Sequence, residues 1–147
     1  MWDTACERAE KAGILVLDCT RHHGFIRSCF YDAADPENVS KCKAGYPSHM
    51  ATNVVSECLL VPTSPRTVAE EYVKGDCGYQ YTGEGGLSWA IPNCAGVLAM
   101  AWQARPDLQP AQMRELLFKS AHKNADSSLT INPLEFGRLA NAFTPPK

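Results

Sequence analysis

The order of apolar and polar residues along the chain predicts alternating helices and buried strands. The segment from Trp2 to Ala12 spaces alanines among charged residues and stops at Gly13, which predicts a helix with a glycine at its C-terminal end. The continuous apolar run from Ile14 to Asp18 is typical of a strand that is covered on both faces. A helix, a tight glycine and a buried strand in this order indicate an α/β sheet.

The middle of the chain gives weaker signals. Residues 19–50 are rich in turn formers, so we expect irregular structure there. A second strand is expected from Asn53 to Val61, ending at Pro62. Residues 63–86 are expected to form a loop with a hairpin around Tyr79 to Thr82. Long loops of this kind in a compact domain usually serve a function.

Three helices are predicted in the last third of the chain. The segment from Ala90 to Trp102 is apolar on almost all sides, so it should be a buried central helix. Pro110 suits the first position of the next helix, which carries one apolar face. Asn132 as N-cap and Pro133 as first residue begin the last helix. A length of 147 residues suits one domain with its own core.

Charge and composition narrow the function classes. The formal net charge is −2, and no basic stripe is present that would neutralise phosphates, so a nucleic-acid partner is not expected. The first residues are charged and helix-like, which is typical neither of a signal peptide nor of a membrane span. If Met1 is the natural start, this predicts a cytoplasmic protein.

The cysteines and one acidic loop are the candidate metal ligands of this chain. Seven cysteines are spread along the chain without a C-x-x-C pair, which is a poor pattern for zinc. It favours unbridged thiols in a reducing compartment, although one or two disulfides also fit. Asp32, Asp35 and Glu37 lack the regular ligand spacing of a calcium loop, so a solvated loop is the better interpretation. We therefore expect no metal and no cofactor.

The stretch GGLSWAIPNCAG, from Gly85 to Gly96, carries the most specific chemistry. It places Ser88 where a glycine-rich loop enters a helix, so the Ser88 N–H belongs to the unpaired first turn and the helix dipole there favours negative charge. A serine nucleophile needs such a setting, because its attack on a carbonyl creates an oxyanion. A serine before a helix is more often a simple N-cap than a nucleophile.

This stretch resembles the segment around the catalytic serine of the subtilisin-like serine peptidases, the subtilases. Their pattern is Gly-Thr-Ser-Met-Ala-x-Pro-His, followed by Val-Ala-Gly and an apolar helix. The residues that match it are Gly86, Ser88, Ala90, Pro92, Ala95 and Gly96. The residues that stand in place of its threonine, methionine, histidine and first valine are Leu87, Trp89, Asn93 and Cys94.

The resemblance implies a three-layer subtilisin-like α/β fold with a parallel sheet, incomplete at the N-terminal side, in one partial domain over residues 1–147. It implies that Ser88 is the nucleophile of peptide-bond hydrolysis. The strand GILVLDCTRHHG aligns with the family strand whose asparagine donates to the oxyanion, and His22 takes that position. The residues that the resemblance places beside a bound peptide are Asp18, Cys19, Thr20, Gly85 and Gly86.

The aspartate and histidine motifs of the subtilase triad are not recognisable in this chain. The resemblance therefore implies the C-terminal part of a serine-type endopeptidase domain, which alone is inactive or very weak. An N-terminal half would supply the Asp and the His, and the substrate would be a peptide or a protein. The alternative is a non-catalytic subtilase-like module that binds peptides or proteins. A different α/β hydrolase ranks last, because GLSWA lacks the second glycine of Gly-x-Ser-x-Gly.

Overall fold

A computed structural model describes residues 2–18, 24–44, 58–82 and 86–144 of the chain. It contains a five-stranded sheet, a separate two-stranded hairpin and four α-helices. The sheet strands are β1 (Ile26–Phe30), β2 (Lys43–Ala44), β3 (Leu59–Ser64), β6 (His122–Lys123) and β7 (Leu129–Thr130). The hairpin is formed by β4 (Arg66–Val73) and β5 (Asp76–Thr82). The helices are α1 (Trp2–Lys11), α2 (Ala90–Ala104), α3 (Pro110–Lys119) and α4 (Pro133–Ala142).

The centre of the sheet is parallel. Its strand order is β2-β1-β3-β7-β6, in which β1 pairs with β3 and β3 with β7 in parallel. The edge strands β2 and β6 are antiparallel to their neighbours. Helix α2 packs against β1 and β3, α4 packs on α2, and α3 packs on α4. This arrangement confirms the predicted α/β class with a parallel sheet.

The hydrophobic core lies between the sheet and the helices α2, α3 and α4. It joins side chains from β3, from all three of these helices and from the segment around β1 and β7. Its largest fully buried hydrophobic side chains are Phe25, Phe136, Ile26, Leu59, Met113, Leu117 and Val61. Burial of such side chains is the main stabilising contribution to the fold.

The helix ends follow the sequence signals. Asn132 caps α4, because its side-chain Oδ1 accepts a hydrogen bond from the Glu135 N–H at 3.1 Å, and Pro133 is the first helical residue. At the end of α1, the Gly13 N–H donates to the Glu10 carbonyl at 3.0 Å and the Ile14 N–H to Ala9 at 2.9 Å. This pair of bonds is a Schellman motif, which requires the left-handed φ of 78° that Gly13 adopts.

Gly13 allows a first prediction about stability. The Gly13→Ala substitution should lower the free energy of unfolding by roughly 1 kcal/mol, because an alanine at positive φ is strained even in open space. Gly96 is the control, since it lies inside α2 and a Cβ there also meets no atom within 4 Å. Gly96→Ala should raise stability by roughly 0.5–1 kcal/mol. Urea denaturation of both variants measures these two opposite changes in the free energy of unfolding. Equal changes would contradict the left-handed conformation assigned to Gly13.

The expected strand at Ile14–Asp18 is wrong. The segment is extended but belongs to no ladder, because no strand in the described part of the chain pairs with it. Ile14 is 57% exposed, while Leu15 and Leu17 pack against the core. The apolar run therefore indicated contact with the core, which Leu15 and Leu17 make, but a strand also needs a hydrogen-bonded neighbour.

Strand β1 lies inside residues 19–50, for which irregular structure was expected, and this expectation is wrong for residues 26–30. The alternation of β1 is hard to recognise because Ser28, a polar residue, is buried beside the hydrophobic Ile26 and Cys29. Its short partner β2 carries two residues only. Parallel pairing with β3 fixes β1, and that pairing is not visible in the local sequence.

Strand β3 does not end at Pro62 as expected but continues through Ser64; the start of the expected strand, residues 53–57, lies outside the described residues. β7 pairs only with Leu59 and Leu60, so beyond Leu60 the strand has one neighbour, β1. Proline is tolerated where a strand has a free side, because no ladder bond from its nitrogen is needed there.

The segment 63–86 is a long hairpin over residues 66–82 rather than a loop with a hairpin at its end. Its tip is Lys74–Gly75, where Gly75 has a φ of 87° and its N–H donates to Glu71 Oε1 at 2.7 Å. Most hairpin side chains are exposed, including those of Tyr79 and Tyr81. Without a buried face, the strands lack the apolar alternation that would have predicted them.

Helix α2 was expected to be buried on all sides, and this expectation is wrong. Its buried residues lie along one stripe, which comprises Ala90, Cys94, Val97, Leu98 and Ala101. The opposite side is exposed: Ala95, Gly96 and Ala99 line it, and Met100 is 62% exposed. The sequence predicted the apolar character of this face, but the described residues provide no second layer to cover it.

Candidate active site

Ser88 lies in a single 3-10 turn, Leu87–Trp89, that leads directly into α2. The turn contacts β1, and α2 packs on both β1 and β3, so the serine is held against the central parallel strands. The Ser88 side chain is exposed. The fold thus presents this hydroxyl to solvent at the start of the helix that the sequence motif predicted.

The backbone around Ser88 forms a tight turn at the entry to α2. The Trp89 N–H donates to the Gly86 carbonyl at 3.1 Å, and the Ala90 N–H donates to Leu87. The acceptor that a 3-10 turn offers to the Ser88 N–H is the carbonyl of residue 85, which lies outside the described residues. The positive end of the α2 dipole lies at this point and favours negative charge there.

Pro92 and Gly86 shape the approach to the serine. Pro92 is the third residue of α2 and has no N–H, so the carbonyl of Ser88 loses its helical partner where the loss is smallest. Gly86 adopts an ordinary extended conformation (φ −103°, ψ 166°). A Cβ on Gly86 would lie 3.7 Å from Ser88 Oγ, an ordinary contact, so steric need within the described residues does not explain this glycine.

A cleft of about 640 Å³ adjoins the turn. It lies between the end of β3, the base of the hairpin and the first turn of α2, and its lining includes Tyr31, Arg66, Trp89, Pro92 and Asn93. The Arg66 guanidinium stacks over the Trp89 ring, with Cζ 4.0 Å from the ring centroid. Its Nη1 donates to the Thr63 carbonyl at 3.1 Å. Arg66 therefore ties the residue after Ser88 to the end of β3.

Arg66 carries a second prediction. In Arg66→Ala, the indole N–H resonance of Trp89 should move, and stability should fall by about 0.5–1 kcal/mol, because the cation–π contact is lost. Arg114→Ala is the matched control, since Arg114 lies 4.8 Å over the Phe25 ring, in a contact that involves neither Trp89 nor its turn. A Trp89 resonance that is unchanged in Arg66→Ala, or that moves equally in Arg114→Ala, would contradict the contact.

The described residues place no general base beside Ser88. Its exposed hydroxyl makes no hydrogen bond to the part of the chain that the structure describes. His122, the one histidine within these ranges, is exposed on the edge strand β6, whereas the serine turn contacts β1 on the other side of β3 and β7. Within the described residues, the Ser88 site is therefore an exposed hydroxyl at the entry to a helix, with no acid or base hydrogen-bonded to it.

Of the other predicted site residues, Asp18 and Gly86 lie within the described ranges. Asp18 is 7% exposed, and burial together with the Asp18 carboxylate raises the pKa of the Cys6 thiol on α1. Gly86 begins the serine turn, as described above. The remaining predicted residues, which lie outside the described ranges, are His22, Cys19, Thr20 and Gly85. Sequence reasoning missed Arg66 and Tyr31, because only the fold brings the hairpin base and the end of β1 to the serine.

The acidic loop after β1 is an ion-pair network. Lys41 Nζ lies 3.1 Å from Asp32 and 2.8 Å from Asp35, and these carboxylates raise the pKa of the lysine. The backbone N–H of Ala34 donates to Asp32. Within the described ranges, no group of three His, Cys, Asp or Glu side chains is arranged to hold a metal ion.

The fold is thus α/β with a parallel sheet, and an exposed serine lies at the entry to one of its helices. The sequence profile of the Subtilase family matches residues 46–137, which include Ser88 and the whole of α2. The chain therefore belongs to the subtilase family of serine peptidases, peptidase family S8.

Three known proteins are similar to this chain. The serine protease AprX of Bacillus subtilis (strain 168) is 36% identical over 69 residues, which are 46% of this chain and 16% of AprX. A solved structure of the subtilase cytotoxin SubAB assembly superposes with a TM-score of 0.58 over 80% of this chain and 36% of that chain, at 14% identity. The A-subunit of the AB5 toxin from E. coli gives a TM-score of 0.52 over 79% of this chain and 37% of that chain, also at 14% identity.

Each match covers only part of the known protein. The chain spans about a third of the length of the two toxin chains and about a sixth of AprX. The structural similarity at 14% identity concerns the fold alone. In the described part of the chain, no helix has the length and apolarity required to cross a membrane.

Proposed function

We propose that this chain provides the nucleophile portion of a serine-type endopeptidase, with Ser88 as the residue that attacks the peptide bond. The main observation in support of this proposal is the position of Ser88. Its side chain is exposed in the turn that enters α2, and this turn lies within the region that matches the subtilase profile. The Ser88 N–H and the positive end of the helix are suited to the negative charge that develops during acyl transfer.

The chemistry would proceed through an acyl-enzyme. Ser88 Oγ attacks the carbonyl carbon of the scissile peptide bond while a histidine base takes its proton, and the same histidine then protonates the leaving amine. The Ser88 N–H donates to the oxyanion, and His22, at the position of the oxyanion asparagine in the resemblance, supplies a second N–H. Water then releases the acyl group and restores the serine. The peptide would run along the segments of Asp18, Cys19 and Thr20 and of Gly85 and Gly86.

An N-terminal half that carries the Asp and the His is the partner this proposal requires. The exposed side of α2, formed by Ala95, Gly96, Ala99 and Met100, suits such a partner, because small apolar side chains permit close packing. The length comparison supports the same view, since the chain spans 36% of the SubAB chain that it superposes on. Without this partner the serine is not activated, and the chain alone is expected to be inactive or very weak.

The experiment is covalent labelling by a fluorophosphonate probe, followed by mass spectrometry. Trypsin is expected to leave one peptide from Gly75 to Arg114, in which Ser88 is the only serine, so an adduct on a serine of this peptide identifies the site. The chain is labelled alone and after co-expression with the Asp- and His-bearing N-terminal half of a related subtilase. We expect slow or no labelling alone and rapid labelling in the complex. A folded complex that stays unlabelled would contradict the proposal.

A non-catalytic peptide-binding module is the second candidate. It is favoured by the absence of an acid or a base hydrogen-bonded to Ser88 within the described residues, and by Leu87, Trp89 and Asn93 in place of the usual family residues. Under this alternative, the chain binds peptides in the cleft beside Trp89 without labelling at Ser88. Fluorescence anisotropy with a labelled peptide library distinguishes it from the peptidase.

A further inference from the structure

The edge of the sheet brings two cysteines together. Strands β1 and β2 are antiparallel, with Cys29 opposite Ala44 and Phe30 opposite Lys43. Continuing this register places Cys42 diagonally opposite Cys29 and on the same side of the two strands, because side chains alternate along each strand. The two thiols are neighbours, since each of them acts on the pKa of the other.

The surroundings of the two sulfur atoms differ. Cys29 is fully buried, and burial followed by the nearby Cys42 raises its pKa strongly. Cys42 is half-buried at the end of the 3-10 turn Val39–Lys41, and the hydrogen bond from Cys29 offsets part of the rise in pKa that its burial causes. Cys42 is the thiol that an external reagent reaches first.

We propose that Cys29 and Cys42 are a disulfide-forming pair that reacts with a low-molecular-weight disulfide such as oxidised glutathione. The Cys42 thiolate attacks one glutathione sulfur, which breaks the glutathione S–S bond and releases one glutathione thiol. The Cys29 sulfur then loses its proton and attacks the Cys42 sulfur of the mixed disulfide, which releases the second glutathione. Two protein thiols are oxidised, and one glutathione disulfide is reduced to two thiols.

The bond would fix the loop that precedes β2. It closes a segment of 14 residues, from Cys29 to Cys42, which contains Tyr31 and the Asp32–Lys41 ion pair. Because Tyr31 lines the cleft beside Trp89, oxidation would also restrict one wall of that cleft. Closing a loop of this size shifts the unfolding equilibrium toward the folded state on the order of a hundredfold.

The test uses the full chain in glutathione buffers that range from reduced to oxidised. Remaining thiols are alkylated with N-ethylmaleimide, and the protein is digested without reduction. Trypsin is expected to cut after Arg27, Lys41 and Lys43, so the Cys29 and Cys42 peptides stay joined only if the disulfide has formed. We expect this linked pair at oxidising ratios in the folded protein. Alkylation of both thiols at every ratio, or a link that forms only in urea, would overturn the proposal.

Two variants complete the experiment. Cys42→Ser should abolish the link and the stabilisation on oxidation, while leaving the fold intact because the side chain is only half-buried. Cys77→Ser is the matched control, since Cys77 is exposed on the hairpin and should leave both unchanged. A roughly hundredfold change in the unfolding equilibrium between oxidised and reduced wild-type protein supports native geometry for the bond. A disulfide that forms but does not stabilise the protein would overturn the proposal.

Discussion

The Ser88→Ala variant is expected to lose all fluorophosphonate labelling in the peptide from Gly75 to Arg114, and, in a complemented enzyme, to hydrolyse peptides about a millionfold more slowly than the wild type. The reason is that alanine removes the only atom that forms the acyl-enzyme. The backbone N–H of residue 88 remains, so the variant keeps the oxyanion donor and a small residual activity.

The fold should be unaffected by this change. Ser88 is exposed, and within the described residues its hydroxyl makes no hydrogen bond, so no packing or pairing is lost. Thermal unfolding should therefore give the same midpoint as the wild type. Ser40→Ala is the control for the probe, because Ser40 is an exposed serine in the 3-10 turn before β2, away from the cleft. Equal labelling of Ser88→Ala and wild type would exclude Ser88 as the nucleophile.

Sequence signals that act within a few residues predicted structure well. Asn132 and Pro133 began α4, Pro110 began α3, and Gly13 ended α1, because caps and glycine stops depend on local hydrogen bonds. Strands depended on partners that are remote in sequence. Strand β1 was missed because it is fixed by parallel pairing with β3 across a segment of about thirty residues.

The same distinction applies to the candidate site. The place of Ser88 at the entry to α2 was predictable because glycine, serine, proline and apolar helix follow each other within one motif. Arg66 was not, because its approach to Trp89 depends on where the hairpin leaves the end of β3. The Cys29–Cys42 contact likewise depends on the register of β1 against β2. Spacing alone had left open whether any of the seven cysteines pair.

The Phe136→Ala variant should have the largest effect on stability. Phe136 is 1% exposed and lies on α4, which packs against both α2 and α3. Removing a buried phenylalanine side chain costs about 3–5 kcal/mol, because the transfer free energy is lost and a cavity remains. This is a large share of the roughly 5–15 kcal/mol that stabilises a typical domain. The urea midpoint should therefore fall by roughly 2 M.

Leu134→Ala is the matched control on the same helix. Leu134 is 87% exposed, so its truncation removes little buried surface and should change the midpoint only slightly. If Phe136→Ala does not fold at all, Phe136→Leu keeps most of the buried volume and should show a smaller loss in the same direction. Equal midpoints for the Phe136 and Leu134 variants would mean that α4 does not close the core. The observed packing of α4 on α2 would then not be what holds the serine helix in place.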